Sequence, residues 1–329
     1  MIVREMIRRY RTLFRGLLAA AAIAICGAPA TAQKQIDIGA AEAPLSDQER
    51  VDLDQAVRKH NYAAEKAVIG RALDEHPDSY ELLIMAGRLA YLEKQPKDAA
   101  AALARADKIK PVAEGDRMTL ALALSFTDNL KSARAEFQKL IAVSPKNAEY
   151  LFLLGRVDAN GRHFEDAAAD FGKAIALDPN MVKAYEDLGR AQENLGNPED
   201  ARKTYEAGAL HNRQNKSHWE WSPLDLGVVL LKDGDLNGAE ALFREALLYN
   251  PRSGPAHYNM GQVFQKKGDE ARAMDAYKEA VVDEPRLRQA WLALGRQFTR
   301  QGNKVEADRA LGIFKALEDE DNARKGRKN

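Results

Sequence analysis

The chain has 329 residues, of which 45% are apolar, 7% aromatic and 30% charged, with 49 basic and 49 acidic side chains in balance. Balanced charge gives no electrostatic footprint for nucleic acid, and no excess of one sign singles out a partner. The length allows two globular domains, or one elongated array if the sequence repeats itself.

Residues 1–32 open with a basic leader, Arg4, Arg8, Arg9, Arg11 and Arg15. An apolar run from Leu17 to Cys26 follows, then Gly27, Pro29 and the small-x-small pattern Ala30-Thr31-Ala32. This order predicts a secretory signal peptide cut before Gln33, or an anchor if it stays uncleaved. The apolar run is shorter than the roughly 20 residues a spanning helix needs. Cleavage would remove five arginines and Glu5 from a chain of net charge +0, leaving about −4. It would also remove Cys26, the only cysteine, and with it any disulfide or thiolate chemistry. Ile25 before Cys26 argues against lipoprotein processing. Residues 33–45 hold Gly39, Ala40, Ala41, Ala43 and Pro44 without a period and read as a mobile linker.

From Ser46 onward the chain reads as helix, and it repeats. Ala99, Ala133, Ala167, Ala201, Ala239, Ala273 and Ala307 are separated by 34, 34, 34, 38, 34 and 34 residues. Gly87, Gly155, Gly189, Gly227, Gly261 and Gly295 keep the same spacing, with Ala121 in the one gap. Pro77, Pro111, Pro145, Pro179, Pro251 and Pro285 do so as well, except that Pro179 to Pro251 is 72, two repeats plus the same four extra residues, so all three series agree on one insertion. Units that repeat at such a period must stack to bury their apolar faces. In 254–287, Ala256 to Phe264 forms a first helix and Gly268-Asp269 a turn. A second helix, Glu270 to Val281, places Ala273, Tyr277 and Ala280 on one face.

These units resemble the tetratricopeptide repeat, W-x2-L-G-x2-Y…A-x3-F…P over 34 residues. Trp291-x2-Leu294-Gly295-x2-Phe298 with Ala307, Leu151-x2-Leu154-Gly155 with Ala167-x3-Phe171 and Pro179, and Tyr185-x2-Leu188-Gly189 with Ala201-x3-Tyr205 carry the likeness. It extends over seven units: 80–113, 114–147, 148–181, 182–215, 220–253, 254–287 and 288–321. A degenerate capping unit, 46–79, has Glu65 where the small alanine should stand, and a basic tail occupies 322–329. The resemblance implies an all-α, right-handed superhelical solenoid of helix-turn-helix repeats with the first helices lining a concave groove. The Phe/Tyr series on the second helices, Phe171 included, is expected to fill the space between neighbouring units.

No catalytic motif is present, neither G-x-S-x-G, H-E-x-x-H, a Walker loop nor CxxC, and the six histidines lack metal-binding spacing. No enzyme activity, metal or cofactor is expected. Arg88, Arg156, Arg190 and Arg296 each follow the repeat glycine, and Gln262 follows Gly261. The resemblance points that position into the groove, where the arginines would form a ladder for carboxylates. Nearby Glu186 and Glu193 would compete for Arg190. The Lys/Asn clamp of some tetratricopeptide co-chaperones has no counterpart, since Leu224 and Val228 interrupt the series and Asn259 stands alone. The insertion, His211 to Trp221, reads as a polar loop, with Ser222 capping the next helix ahead of Pro223. Trp219 and Trp221 in it are candidate contacts, or pack back over the gap between repeats.

The chain is thus expected to be an exported bacterial scaffold, most simply periplasmic, that holds a protein or peptide in its groove. Envelope proteins similar to it serve in pilus assembly, secretion and polysaccharide export. A polysaccharide-binding export module is the alternative, with Trp219, Trp221, Tyr258 and Trp291 as stacking platforms.

Overall fold

A computed structural model describes residues 42–326, the side chains of 324–326 excepted. The expected signal segment, and the linker as far as residue 41, lie outside the described residues. Among the described residues there are sixteen α-helices and no strand. They form two compact units, divided in sequence between Pro179 and Asn180.

In the first unit α1 (Asp47–Arg58) pairs with α2 (Tyr62–Glu75), α3 (Tyr80–Leu92) with α4 (Pro96–Ile109), α5 (Glu114–Phe126) with α6 (Leu130–Val143), and α7 (Ala148–Asn160) with α8 (Phe164–Leu177). In the second, α9 (Val182–Asn194) pairs with α10 (Pro198–Gln214), α11 (Trp221–Asp233) with α12 (Leu236–Tyr249), α13 (Gly254–Lys266) with α14 (Glu270–Asp283), and α15 (Arg288–Arg300) with α16 (Lys304–Gly326). First helices of successive pairs also touch, α3 with α5, α9 with α11, and α11 with α13. Second helices make no comparable contact with one another, so the first helices line the inner side of each stack.

The periodic residues explain the pairing. Each repeat alanine is buried: Ala99, Ala133, Ala167, Ala239 and Ala273 expose nothing, and Ala201 and Ala307 at most 3%. A small side chain here lets the two helices approach closely. Each repeat glycine faces the large residue of its own second helix. A Cβ on Gly155 would lie 2.7 Å from the Phe171 ring, on Gly189 2.3 Å from Tyr205, and on Gly261 2.4 Å from Tyr277. Phe171, Tyr205, Phe243 and Tyr277 each close on the glycine of their own pair, and the series also reaches the following unit as expected: Tyr205 clusters with Leu226 and Leu242, and Phe243 with Met260 and Val263. Phe171 is fully buried and its ring lies 5.9 Å from that of Phe152 on α7. Burying such a ring contributes about 1.5–3 kcal/mol.

The turn inside each pair holds one residue in the left-handed conformation. His60, Lys94, Asp128 and Arg162 do so at φ of 50–63°, then Gly196, Gly234, Gly268 and Gly302 at 72–87°. The series follows the 34-residue period, with a single step of 38 from Gly196 to Gly234 across the insertion.

Two sequence expectations need correction. The segment 33–45 is not a free linker at its end: Ala43 and Leu45 are 1% and 8% exposed and join the core formed by α1, α2 and α3. There Ser46 closes a capping box, accepting from the Glu49 N–H at 3.3 Å while Glu49 accepts from the Ser46 N–H at 2.9 Å. The insertion is not all loop, because α10 runs on through Gln214 and is 17 residues long. The next helix begins at Trp221, so Ser222 and Pro223 lie in its first turn and Ser222 is no cap. Proline is tolerated there because first-turn N–H groups have no partner within the helix. The basic tail begins within α16, which continues to Gly326.

Candidate functional site

The residues after the repeat glycines all stand on first helices, yet their surroundings differ. Arg88 is committed: its Nε and Nη2 donate to Asp116 on α5 at 2.6 and 2.9 Å. Arg156 lies 5.8 Å from the Phe152 ring centre. Gln262 donates to the Tyr258 hydroxyl at 2.9 Å. Arg190 reaches Glu186 at 2.6 Å and Asp225 on α11 at 3.7 Å. Arg296 is exposed and makes no hydrogen bond or ion pair among the described residues. A uniform ladder of open guanidinium groups is therefore not formed; two of the four arginines are held by acids of the following first helix.

Around Arg190 the insertion builds a second cluster. Asn212 is fully buried near the end of α10. Its amide donates to the Trp219 carbonyl at 2.9 Å and accepts from the Trp219 N–H at 3.0 Å. Trp219, so fixed, donates its indole N–H to Glu186 at 2.8 Å, and Lys183 lies 4.5 Å from its ring centre. Trp221 takes the Arg190 guanidinium at 5.6 Å from its own ring centre. Both tryptophans are half-buried and engaged with the α9 face. Burial pushes the Asp225 carboxyl up to about 8, against the pull of Arg190 and with the push of Glu186, Glu193 and Asp187. The neighbourhood of Arg190 is thus rich in acid.

The other stacking candidates are Trp291 and Tyr258. Trp291 is 4% exposed, and its indole N–H donates to the Pro285 carbonyl at 2.8 Å. It belongs to the core, which takes it out of any saccharide platform. Tyr258 is half-buried, 5.9 Å from the Tyr277 ring.

Between α13 and α15 a cavity of about 240 Å³ opens, lined by Arg296 and Gln262 together with Tyr258, Gln289, Leu292 and Arg300. No carboxylate lines it. Arg300 is held in place, 3.6 Å from Glu270. With its amide turned to satisfy both neighbours, Gln265 donates to the Tyr277 hydroxyl at 2.8 Å and accepts from Arg300 at 3.0 and 3.1 Å. Sequence reasoning identified Arg296 and Gln262 but missed Arg300 and Gln289. They stand four residues after and seven before Arg296, spacings that share one helix face. Among the described residues no group of His, Cys, Asp and Glu is placed to hold a metal ion, and no helix is long and apolar enough to cross a membrane.

Helix pairs of one period, most of them closed by a large side chain of the second helix on a glycine of the first, define an all-α repeat protein. The chain belongs to the tetratricopeptide repeat family, whose profiles match residues 54–114, 159–220, 224–286 and 258–322. The family fold is a scaffold for protein–protein interaction. Solved structures similar to it include a tetratricopeptide repeat protein of Parabacteroides merdae, 16% identical with a TM-score of 0.58, covering 72% of this chain and 93% of that one. PilF of Pseudomonas aeruginosa is 17% identical at a TM-score of 0.54, with 68% and 97% covered. The type IV pilus biogenesis factor PilW is 16% identical at 0.53, with 62% and 92% covered. At these identities the likeness shows the fold alone. No curated protein sequence matches the chain.

Proposed function

We propose that this protein is an exported, non-enzymatic scaffold of the bacterial envelope that holds a peptide segment of its partner on the first-helix face of residues 180–326. The observation that carries this reading is the cavity between α13 and α15, where polar groups converge and Arg296 has no partner of its own. Its position on the inner side of the stack gives an extended segment a wall of first helices to follow. Export rests on the basic leader and Ala30-Thr31-Ala32. The likeness to PilW, a type IV pilus biogenesis factor, is compatible with an envelope role.

A photo-crosslinking residue placed at Gln289, on the cavity rim, or at Lys203, exposed on the second helix α10, tests the face. Capture of a defined partner in intact cells from Gln289 and not from Lys203 is expected. Capture from Lys203 alone would move the binding face to the second helices. Amino-terminal sequencing of the same material should begin at Gln33; a form retaining Arg15 would make the leader an anchor.

A further inference from the structure

We propose that Glu65 makes the joint between α2 and α3 a proton-operated latch, closed while its carboxyl carries a proton and loosened when it ionises. The residue stands one repeat before Ala99, at the position that alanine fills in all seven later pairs. Those alanines are at most 3% exposed, and Glu65 is no freer at 2%. A carboxyl group thus occupies a seat that elsewhere holds a methyl. Its Oε2 is cut off from water and has no hydrogen-bond partner. Lys66, the next residue, is engaged elsewhere: it donates to the Gln95 amide oxygen at 2.9 Å and lies 3.8 Å from Glu93.

Across the joint stands a second acid. Glu93 is the C-cap of α3, and its Oε2 is also buried without a hydrogen bond. An ionised carboxylate is far more costly to bury than a neutral carboxyl, and a like charge nearby adds to the cost. Burial pushes the Glu65 carboxyl above its ordinary range, His60 in the α1–α2 turn pulls it back, and Glu93 adds to the push. These are the charged groups that act on it from the turn and from α3; none on α1 does so. The unfolded chain imposes neither burial nor Glu93, so the closed joint holds the proton more tightly. Its stabilising share is complete below the ordinary glutamate value, about 4.3, and is lost as pH rises through the raised value. Once the proton has left to solvent, the layer where Val68, Ile69 and Ala72 of α2 meet Leu82, Met85 and Leu89 of α3 is weakened. Leu82, Met85 and Leu89, at most 3% exposed in the closed joint, are the face that loosening uncovers.

Hydrogen exchange of the full chain between pH 5 and pH 8, read by mass spectrometry with labelling times scaled to the chemical exchange rate, tests the latch. Opening of residues 47–75 relative to 288–321 should rise with pH, by about tenfold for each unit by which the fold raises the carboxyl. Glu65→Gln, which keeps the shape and cannot ionise, should remove the rise. Glu65→Ala, which restores the repeat residue, should remove it and slow opening at every pH. Glu93→Gln should reduce it. The readout is the slope with pH, so a variant of altered overall stability still answers, and Glu65→Ala answers alone if Glu65→Gln fails to fold. A wild-type slope no steeper over residues 47–75 than over 288–321 would overturn the proposal. A slope that persists in Glu65→Ala would assign it to His60 and overturn the role of Glu65.

Discussion

Arg88 on α3 and Asp116 on α5 form a two-point hydrogen-bonded ion pair whose side chains are 16% and 5% exposed. A residue at a groove position thereby becomes a bolt between successive repeats. Arg88→Gln leaves Asp116 buried without its counter-charge. Removing one member of a buried pair costs about 3–5 kcal/mol, and the low end is expected because Arg88 keeps some water. Urea unfolding should show a lowered midpoint; a midpoint equal to wild type would mean that the pair contributes nothing.

The ring and the glycine of one pair should be energetically coupled. Phe171→Ala should cost about 3–5 kcal/mol. Gly155→Ala, whose Cβ would sit 2.7 Å from that ring, should cost about 1–3 kcal/mol by overpacking. In the double variant the alanine methyl has room, so the losses should fall clearly short of additive. Additive losses would show that the two residues do not share a contact.

Asp128 and Arg162 are exposed residues held at φ of 63°. Left-handed backbone costs a residue with a Cβ about 1–2 kcal/mol, while glycine loses about 0.4–1 kcal/mol through its freer unfolded chain. Asp128→Gly and Arg162→Gly should therefore each gain up to about 1 kcal/mol, read as a higher thermal midpoint. A loss at both sites would contradict this.

Asn212 should hold the insertion shut. Asn212→Ala strands the N–H and the carbonyl of Trp219, at about 1–3 kcal/mol for a buried polar group left unpaired. Tryptophan emission should shift to the red, and amide exchange should quicken over residues 211–221. Unchanged emission and exchange would assign the position of Trp219 to other contacts.

Asp225 should give stability a pH slope. An ordinary aspartate titrates near about 3.9, whereas burial pushes Asp225 up to about 8. The folded state thus favours the protonated acid. Its contribution is complete below the ordinary value and is lost as pH rises through about 8. Between pH 5 and pH 9 the urea midpoint of the wild type should fall more than that of Asp225→Asn. Parallel curves would show that the carboxyl ionises freely in the fold.

The helix pairs were legible in the sequence because each contact that makes a pair recurs with the repeat. Gly155 needs Phe171, Gly261 needs Tyr277, and the spacing between partners is constant. The site was legible only in part. Whether an arginine after the glycine is open depends on one acid in the next first helix. Asp116 and Asp225 stand at different repeat positions, so no period announces them. The insertion misled for a local reason: a proline fits anywhere in a first turn, so Pro223 fixed the start of α11 only to within two residues. Asn212, the residue that organises that loop, is a lone amide with no partner pattern in the sequence.

Because Phe171, Tyr205, Phe243 and Tyr277 each close on a glycine of their own helix pair, such a pair carries its ring and the ring's seat together. Excising residues 254–287 would carry off Gly261 and Tyr277 together and leave no ring without its seat. The stretch from α9 to α11 has no such clean cut, since Trp219 is gripped by Asn212 on one helix and bonded to Glu186 on another. Lengthening or shortening this protein by whole repeats is thus open at the α13–α14 pair and closed at the insertion, which makes that junction the fixed point from which the second unit is measured.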